Sequence, residues 1–269
     1  MRLPAHINRV VRALLVLLAC GAASRADTIS LPAVADTSLY QGNPDGNLGA
    51  TTLVSGTNQK NSVSRALFSF DLSSIPGNAI INEAHVSLAV TKRPDPDQHG
   101  GPIPSDFGLY RLLVSWGEGS GTAVTGSPTN GGATWSARFF PLVSWDYVGG
   151  SAGVDYVDSP SSSTLVDDLG IYVFQNTPLL VQDVESWVNS PETNFGFMLI
   201  SNNESTLGTG RRFASREQAT GTFPAPTLTV DYIVPEPSAG LLAGIALTGL
   251  ACFLRPASRQ VDRSACRVT

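Results

Sequence analysis

The side chains able to do chemistry in this chain are mostly acids, and few fall at useful spacings. Asp95 and Asp97 flank Pro96 in "RPDPDQHGGP", with His99 two residues further on. Such a stretch can form a carboxylate loop for a hard cation or a solvated turn. "GNPDGNLG" alternates oxygens at Asn43, Asp45 and Asn47, like the first half of an EF-hand loop. The match then fails, because Leu48 stands where that loop needs Gly and Val54 where it needs the closing Glu. A turn is expected instead, with Asn47 and Gly49 in left-handed conformations. Asp167 and Asp168 adjoin one another before "LGIYVF" and are expected in a turn. The paired carboxylates of a glycosidase face each other across a cleft, which neighbours on a strand do not. Between residues 27 and 233 the only histidines are His85 and His99, and no Ser-His-Asp set stands out. No catalytic set emerges.

Binding chemistry has better candidates. Trp116, Trp135, Trp145 and Trp187 can stack on the C–H faces of sugar rings or pack in a core. Trp187 lies on the apolar side of a helical pattern and is expected inside. Trp116 and Trp135 sit among Gly, Ser and Thr and are the candidate platforms. Arg211, Arg212 and Arg216 form a basic cluster suited to uronate carboxylates. Arg216 can equally pair with Glu217 or another neighbour.

The elements that must carry these residues are mainly strands. "ALFSFDL" sets Phe68, Phe70 and Leu72 against Leu67, Ser69 and Asp71, and "HVSLAV" aligns Val86, Leu88 and Val90. "FGLYRLLV", "IYVF", "FGFMLIS" and "PTLTVDYIV" are further strand runs, separated by Gly, Pro, Asn and Asp. The pattern predicts an all-β sandwich. One short helix is predicted in "TPLLVQDVESWV", capped by Thr177 with Pro178 at its first position. Val181, Val184, Trp187 and Val188 fall on its apolar side.

The two ends of the 269-residue chain read differently from its middle. Residues 1–26 combine Arg2, Arg9 and Arg12, an apolar run at 13–19 and then small residues, the order of a secretory signal peptide. Cleavage after Ala26 and a lipoprotein-type site at Cys20 are both open. At the other end, residues 238–254 carry no charge and would span about 26 Å as a helix, near the thickness of a bilayer core. Arg255, Arg259, Arg263 and Arg267 follow and favour a cytoplasmic end. The middle keeps nine basic residues against twenty acidic ones, a formal net of −11. That charge disfavours nucleic acid as a partner. All three cysteines, Cys20, Cys252 and Cys266, fall in the end segments, so the middle has neither a disulfide nor a thiol nucleophile.

Val234, Pro235, Glu236 and Pro237, followed by the apolar span and Arg255, resemble the PEP-CTERM sorting signal of Gram-negative bacteria. The resemblance implies processing by an exosortase, at least transient anchoring in the inner membrane, and an association with exopolysaccharide. The tail beyond Arg255 is longer than is usual for that signal. The middle resembles the DNRLRE-domain family. "ADTSLYQGNPDGNLGATTLVSG" and "SRALFSFDLSSIPGN" look like its opening, "LYRLLVSWGEG" and "ATWSARF" like its tryptophan segments, and "RRFASRE" with "APTLTVDY" like its close. The resemblance implies a jelly-roll β-sandwich at 27–233, similar to carbohydrate-binding modules for acidic polysaccharides. No cofactor is expected beyond the structural calcium that jelly rolls of this type often hold, for which Asp36 and Asp231 are the candidate ligands.

The expectation is a non-catalytic exported protein of the envelope or extracellular matrix that binds or organises an acidic exopolysaccharide. The alternatives are a polysaccharide lyase or hydrolase, and a purely structural surface protein.

Overall fold

Alternating apolar positions build a chain of strands. β1 (Arg25–Tyr40), β2 (Leu53–Thr57), β3 (Val63–Phe70), β4 (Ile80–Lys92) and β5 (Ser105–Arg111) come first. After them come β6 (Ala137–Phe139), β7 (Val143–Ser144), β8 (Ser162–Val166) and β9 (Gly170–Phe174). A single α-helix among the described residues, α1 (Pro178–Asn189), precedes β10 (Phe197–Ser201), β11 (Arg211–Phe213) and β12 (Thr227–Val234). The structure is a computed structural model that describes residues 25–97, 101–122 and 128–235. The expected signal peptide up to residue 24, the helix at 238–254, His99, Glu236, Pro237 and Arg255 lie outside the described residues.

Ten strands form one large sheet in the order β1-β12-β4-β11-β2-β3-β10-β5-β8, with β9 on β4, and β6 and β7 make a separate hairpin. Two strands belong to both halves of this sheet. β1 lies beside β12 and also pairs antiparallel with β3 over Ala33↔Phe70 to Tyr40↔Ser64. Its register shifts between Ala33 and Ala35, a bulge that bends the strand where it changes partner. β2 pairs through Leu53, Val54 and Ser55 with β11, then through Gly56 and Thr57 with β3. Gly56 sits at this switch with φ of +97°, and a Cβ there would lie 2.8 Å from the Thr209 carbonyl oxygen.

Side chains of both halves meet in one core. Phe68 and Phe70 of β3, Phe107 of β5 and Phe197 of β10 join Val86, Leu88 and Val90 of β4, Phe213 of β11 and Leu228 of β12. Phe107 and Phe213 pack edge to face at 5.7 Å, and Trp187 meets Phe197 at 4.8 Å. The helix forms as its sequence predicts. Thr177 Oγ1 accepts the Leu180 N–H at 3.0 Å, Pro178 opens the first turn, and Leu180, Val184, Trp187 and Val188 are buried.

A second apolar cluster covers the opposite face of β3 and β10. Leu67, Met198 and Ile200 point away from the main core and are buried by Leu112, Ala133, Trp135, Trp145 and Tyr156 from the segment after β5. β10 is therefore buried along its whole length, which is why it reads as an apolar run rather than an alternation.

The loop after β1 is not held by left-handed residues. Neither Asn47 nor Gly49 has a positive φ, and Asn61 is the one non-glycine residue with that conformation among the described residues. The Asn47 side chain, fully buried, instead ties two loops together. Its amide donates to the carbonyls of Glu118 (2.8 Å) and Ala133 (2.9 Å), and its oxygen accepts the N–H groups of Gly121 (2.8 Å) and Gly49 (3.2 Å). Gly49 is needed for closeness, since a Cβ there would stand 2.1 Å from the Glu118 oxygen.

Candidate functional site

β11 lies between β2 and β4, and the register puts Arg212 opposite Val54 on one side and Lys92 on the other. Two cations thus occupy neighbouring places on adjacent strands, an arrangement that costs stability unless an anion offsets it. Among the described residues neither side chain has an ion pair or a hydrogen bond. Arg212 is exposed and Lys92 is at the exposed end of its strand.

These two residues border an open groove of about 560 Å³, with Tyr40, Asn58, Arg93, Asp95 and Arg211 also on its walls. Tyr40 ends β1, and its hydroxyl accepts the Asn58 side-chain amide at 3.2 Å. Asn58 is fixed in turn, because its oxygen accepts the N–H groups of Lys60 and Ser62. Arg93 pairs with Asp168 at 2.6 Å across the surface. Asp168 is held below the ordinary carboxylate range by the Leu169 N–H and by Arg93, so it stays ionised as that partner. Four of the nine basic residues in an acidic domain therefore line one groove.

The structure separates the two arginines that the sequence groups together. Arg212 faces the groove, whereas Arg211 is 1 % exposed and its guanidinium is spent on backbone. It donates to the carbonyls of Asp167, Gly208, Thr209, Gly210 and Ile103 at 2.8–3.1 Å. Burial lowers its pKa, and the carbonyl dipoles take the place of a carboxylate partner. Arg211 holds the loops that shape the groove's wall. Arg216 bonds Glu118 at 2.8 Å and Glu217 at 2.9 Å, the structural pairing expected of it.

The tryptophans are packing residues. Trp135 is 7 % exposed, with Gly149 against its ring and the Arg65 guanidinium 5.6 Å from its centre, so it has no free face for a sugar. Trp145 is buried and donates to the Thr134 carbonyl at 2.8 Å. Trp187 is buried in the main core. Trp116 is half-buried against the second cluster, with its N–H on the Phe195 carbonyl at 2.8 Å. The ring on the groove is Tyr40, which the tryptophan-centred reading of the sequence passed over.

Asp36 and Asp231 do not converge. Asp36 faces Phe68 across β1 and β3, and Asp231 pairs with Glu83 across β12 and β4. Among the described residues no group of three or more His, Cys, Asp or Glu is placed to hold a metal. Asp36 is nonetheless unusual. It is fully buried, one oxygen accepts the Arg216 N–H at 2.7 Å, and the other oxygen has no hydrogen-bond partner. Burial, with Glu217 and Glu118 nearby, pushes its pKa up to about 7. Asp95 and Asp97 form a solvated turn in which Asp95 accepts the Asp97 N–H at 3.0 Å. Asp167 and Asp168 lie in the turn between β8 and β9. Comparison of the chain with protein-family models and with curated proteins finds no match.

Proposed function

We propose that this protein binds acidic polysaccharide in the groove between Tyr40, Lys92 and Arg212. One observation carries the reading: an acidic domain gathers four of its nine basic residues on one groove, and two of them, Lys92 and Arg212, have neither an ion pair nor a side-chain hydrogen bond among the described residues. A polyuronate supplies the missing anions at sugar-ring spacing. Lys92 and Arg212 pair with carboxylates, Tyr40 offers a ring face, and Asn58 offers an amide for hydroxyls. Trp135 and Arg211 take no direct part in this reading, and their role is to hold the walls.

The surrounding proposal is an exported, non-catalytic envelope or matrix protein of a Gram-negative bacterium. Its supports are the signal-like residues 1–26 and the ordered set of Val234, Pro235, Glu236, Pro237, apolar span and Arg255. In this reading an exosortase-type enzyme acts on the tail, which anchors the chain in the inner membrane at least transiently. The family resemblance adds a jelly-roll sandwich, a description that suits two sheet halves sharing one core.

Binding of the purified chain to alginate, pectate and a neutral glucan tests the site. Retention by a polyuronate is expected, weakening steeply between low and physiological salt. The double variant K92A/R212A is expected to lose at least tenfold in affinity while its unfolding midpoint holds or rises, because the like-charged neighbours are gone. Equal retention of parent and double variant would remove the groove from the proposal. Depolymerisation of any of the glycans would overturn the non-catalytic reading.

A further inference from the structure

A second cleft lies away from the cationic groove, where α1 meets the end of β5 and the loop before β8. It encloses about 470 Å³ and is bordered by Arg111, Val157, Asp158 and Ser161 on one side. The other side is the helix itself. Leu179, Gln182, Asp183 and Ser186 line the cleft, and their spacing of three and four residues puts them on one side of α1. The opposite side, Leu180, Val184, Trp187 and Val188, is in the core.

The polar groups here are organised by a buried carboxylate. Asp183 is 8 % exposed, although it sits on a surface helix. Arg111 Nε lies 2.8 Å from one of its oxygens, and the Ser161 hydroxyl donates to the other. Asp183 thereby holds Arg111 by charge, and the buried Arg111 Nε–H makes no hydrogen bond among the described residues. Gln182 and Ser186 add an amide and a hydroxyl to the same wall, and Asp158 adds an acceptor opposite. Leu113, Val157 and Leu179 supply apolar surface, and Leu179 is half exposed.

Charge sets this cleft apart from the groove. Arg111 is matched by Asp183, and Asp158 tips the balance negative, so a carboxylate ligand would meet an acid as well as the arginine. A neutral ligand with adjacent hydroxyls would find donors in Arg111 and Gln182, an acceptor in Asp158, and apolar side chains for its C–H face. We propose that this cleft is a second binding site, for a neutral hexose unit. It needs no contribution from the acidic-glycan groove and stands or falls separately from it.

The test is titration calorimetry of the full chain in detergent with the methyl glycosides of glucose, galactose, mannose and rhamnose, and with glucuronate as the charged control. Saturable binding of at least one neutral glycoside is expected. Gln182→Ala, at an exposed helix position where alanine favours the helix, is expected to weaken it at least tenfold. R212A, in the groove, is expected to leave it unchanged. No binding by any neutral glycoside would overturn the proposal. So would binding that survives Gln182→Ala, or binding that is lost in R212A.

Discussion

The variant Asp36→Asn is expected to unfold with nearly the same free energy at pH 5 and pH 8, whereas the parent loses roughly 2–3 kcal/mol over that interval. The native Asp36 carboxyl titrates near pH 7, against 3.8 for a free side chain. Between those values the native chain holds a proton that the unfolded chain has released. Stability from this group is therefore highest in acid, falls as the pH rises from about 4 to 7, and is level above that. The cause is burial of an anion with one oxygen unpaired beside Glu118 and Glu217. Asparagine keeps the shape and the acceptor for the Arg216 N–H but cannot ionise. Asp183, also raised by burial, contributes to pH dependence with the same sign in both proteins. Urea unfolding of both proteins across this range decides the matter. A variant as pH-sensitive as its parent would show that Asp36 is not the group responsible.

Asn47→Ala is expected to cost about 3–5 kcal/mol, a large part of the stability of an ordinary domain. The substitution removes one side chain but orphans four backbone groups, the carbonyls of Glu118 and Ala133 and the N–H groups of Gly49 and Gly121. Each was satisfied where water has little access, since Asn47 is fully buried. Asp at this position would keep the acceptor, lose both donors and bury a charge, so Asn47→Asp is expected to be worse than alanine. Thermal unfolding ranks the three proteins. A cost under 1 kcal/mol for either variant would mean that the loops do not depend on this contact.

Local signals were readable where their partners were also local. Thr177 and Pro178 marked the start of the helix, and the spacing of Val184, Trp187 and Val188 marked its buried side. The alternation in β3 put Phe68 and Phe70 on one face of the strand, and that face lies in the main core. What alternation could not reveal is that Leu67, on the other phase, is buried as well, because its cover comes from residues 45 to 89 positions further on. The same limit applied to the site. Arg212 was visible in a run of arginines, but Lys92 becomes its neighbour only through the register of β4 on β11, 120 residues away along the chain. Trp135 and Arg211 looked available because glycine and polar neighbours suggest surface, yet Gly149 lets the indole pack inward and five carbonyls enclose the guanidinium. Asn47 and Gly49 were read as a turn of special backbone angles, when the demand was for a side-chain amide and for empty space.

The length of β4 has a mechanical consequence. Its first residue, Ile80, pairs with Ile233 near the point where the chain leaves the sheet, and its last, Lys92, borders the groove. Those two ends are about 40 Å apart at strand rise. A pull between something held in the groove and Val234, the last residue of β12, would run lengthwise along β4 and β12. The ladder from Ser87↔Thr227 to Ile80↔Ile233 lies across that pull, so its bonds would bear the force together instead of parting one after another. The sheet joins the groove to Val234 as a lap joint, an arrangement of bonded strips that resists tension well.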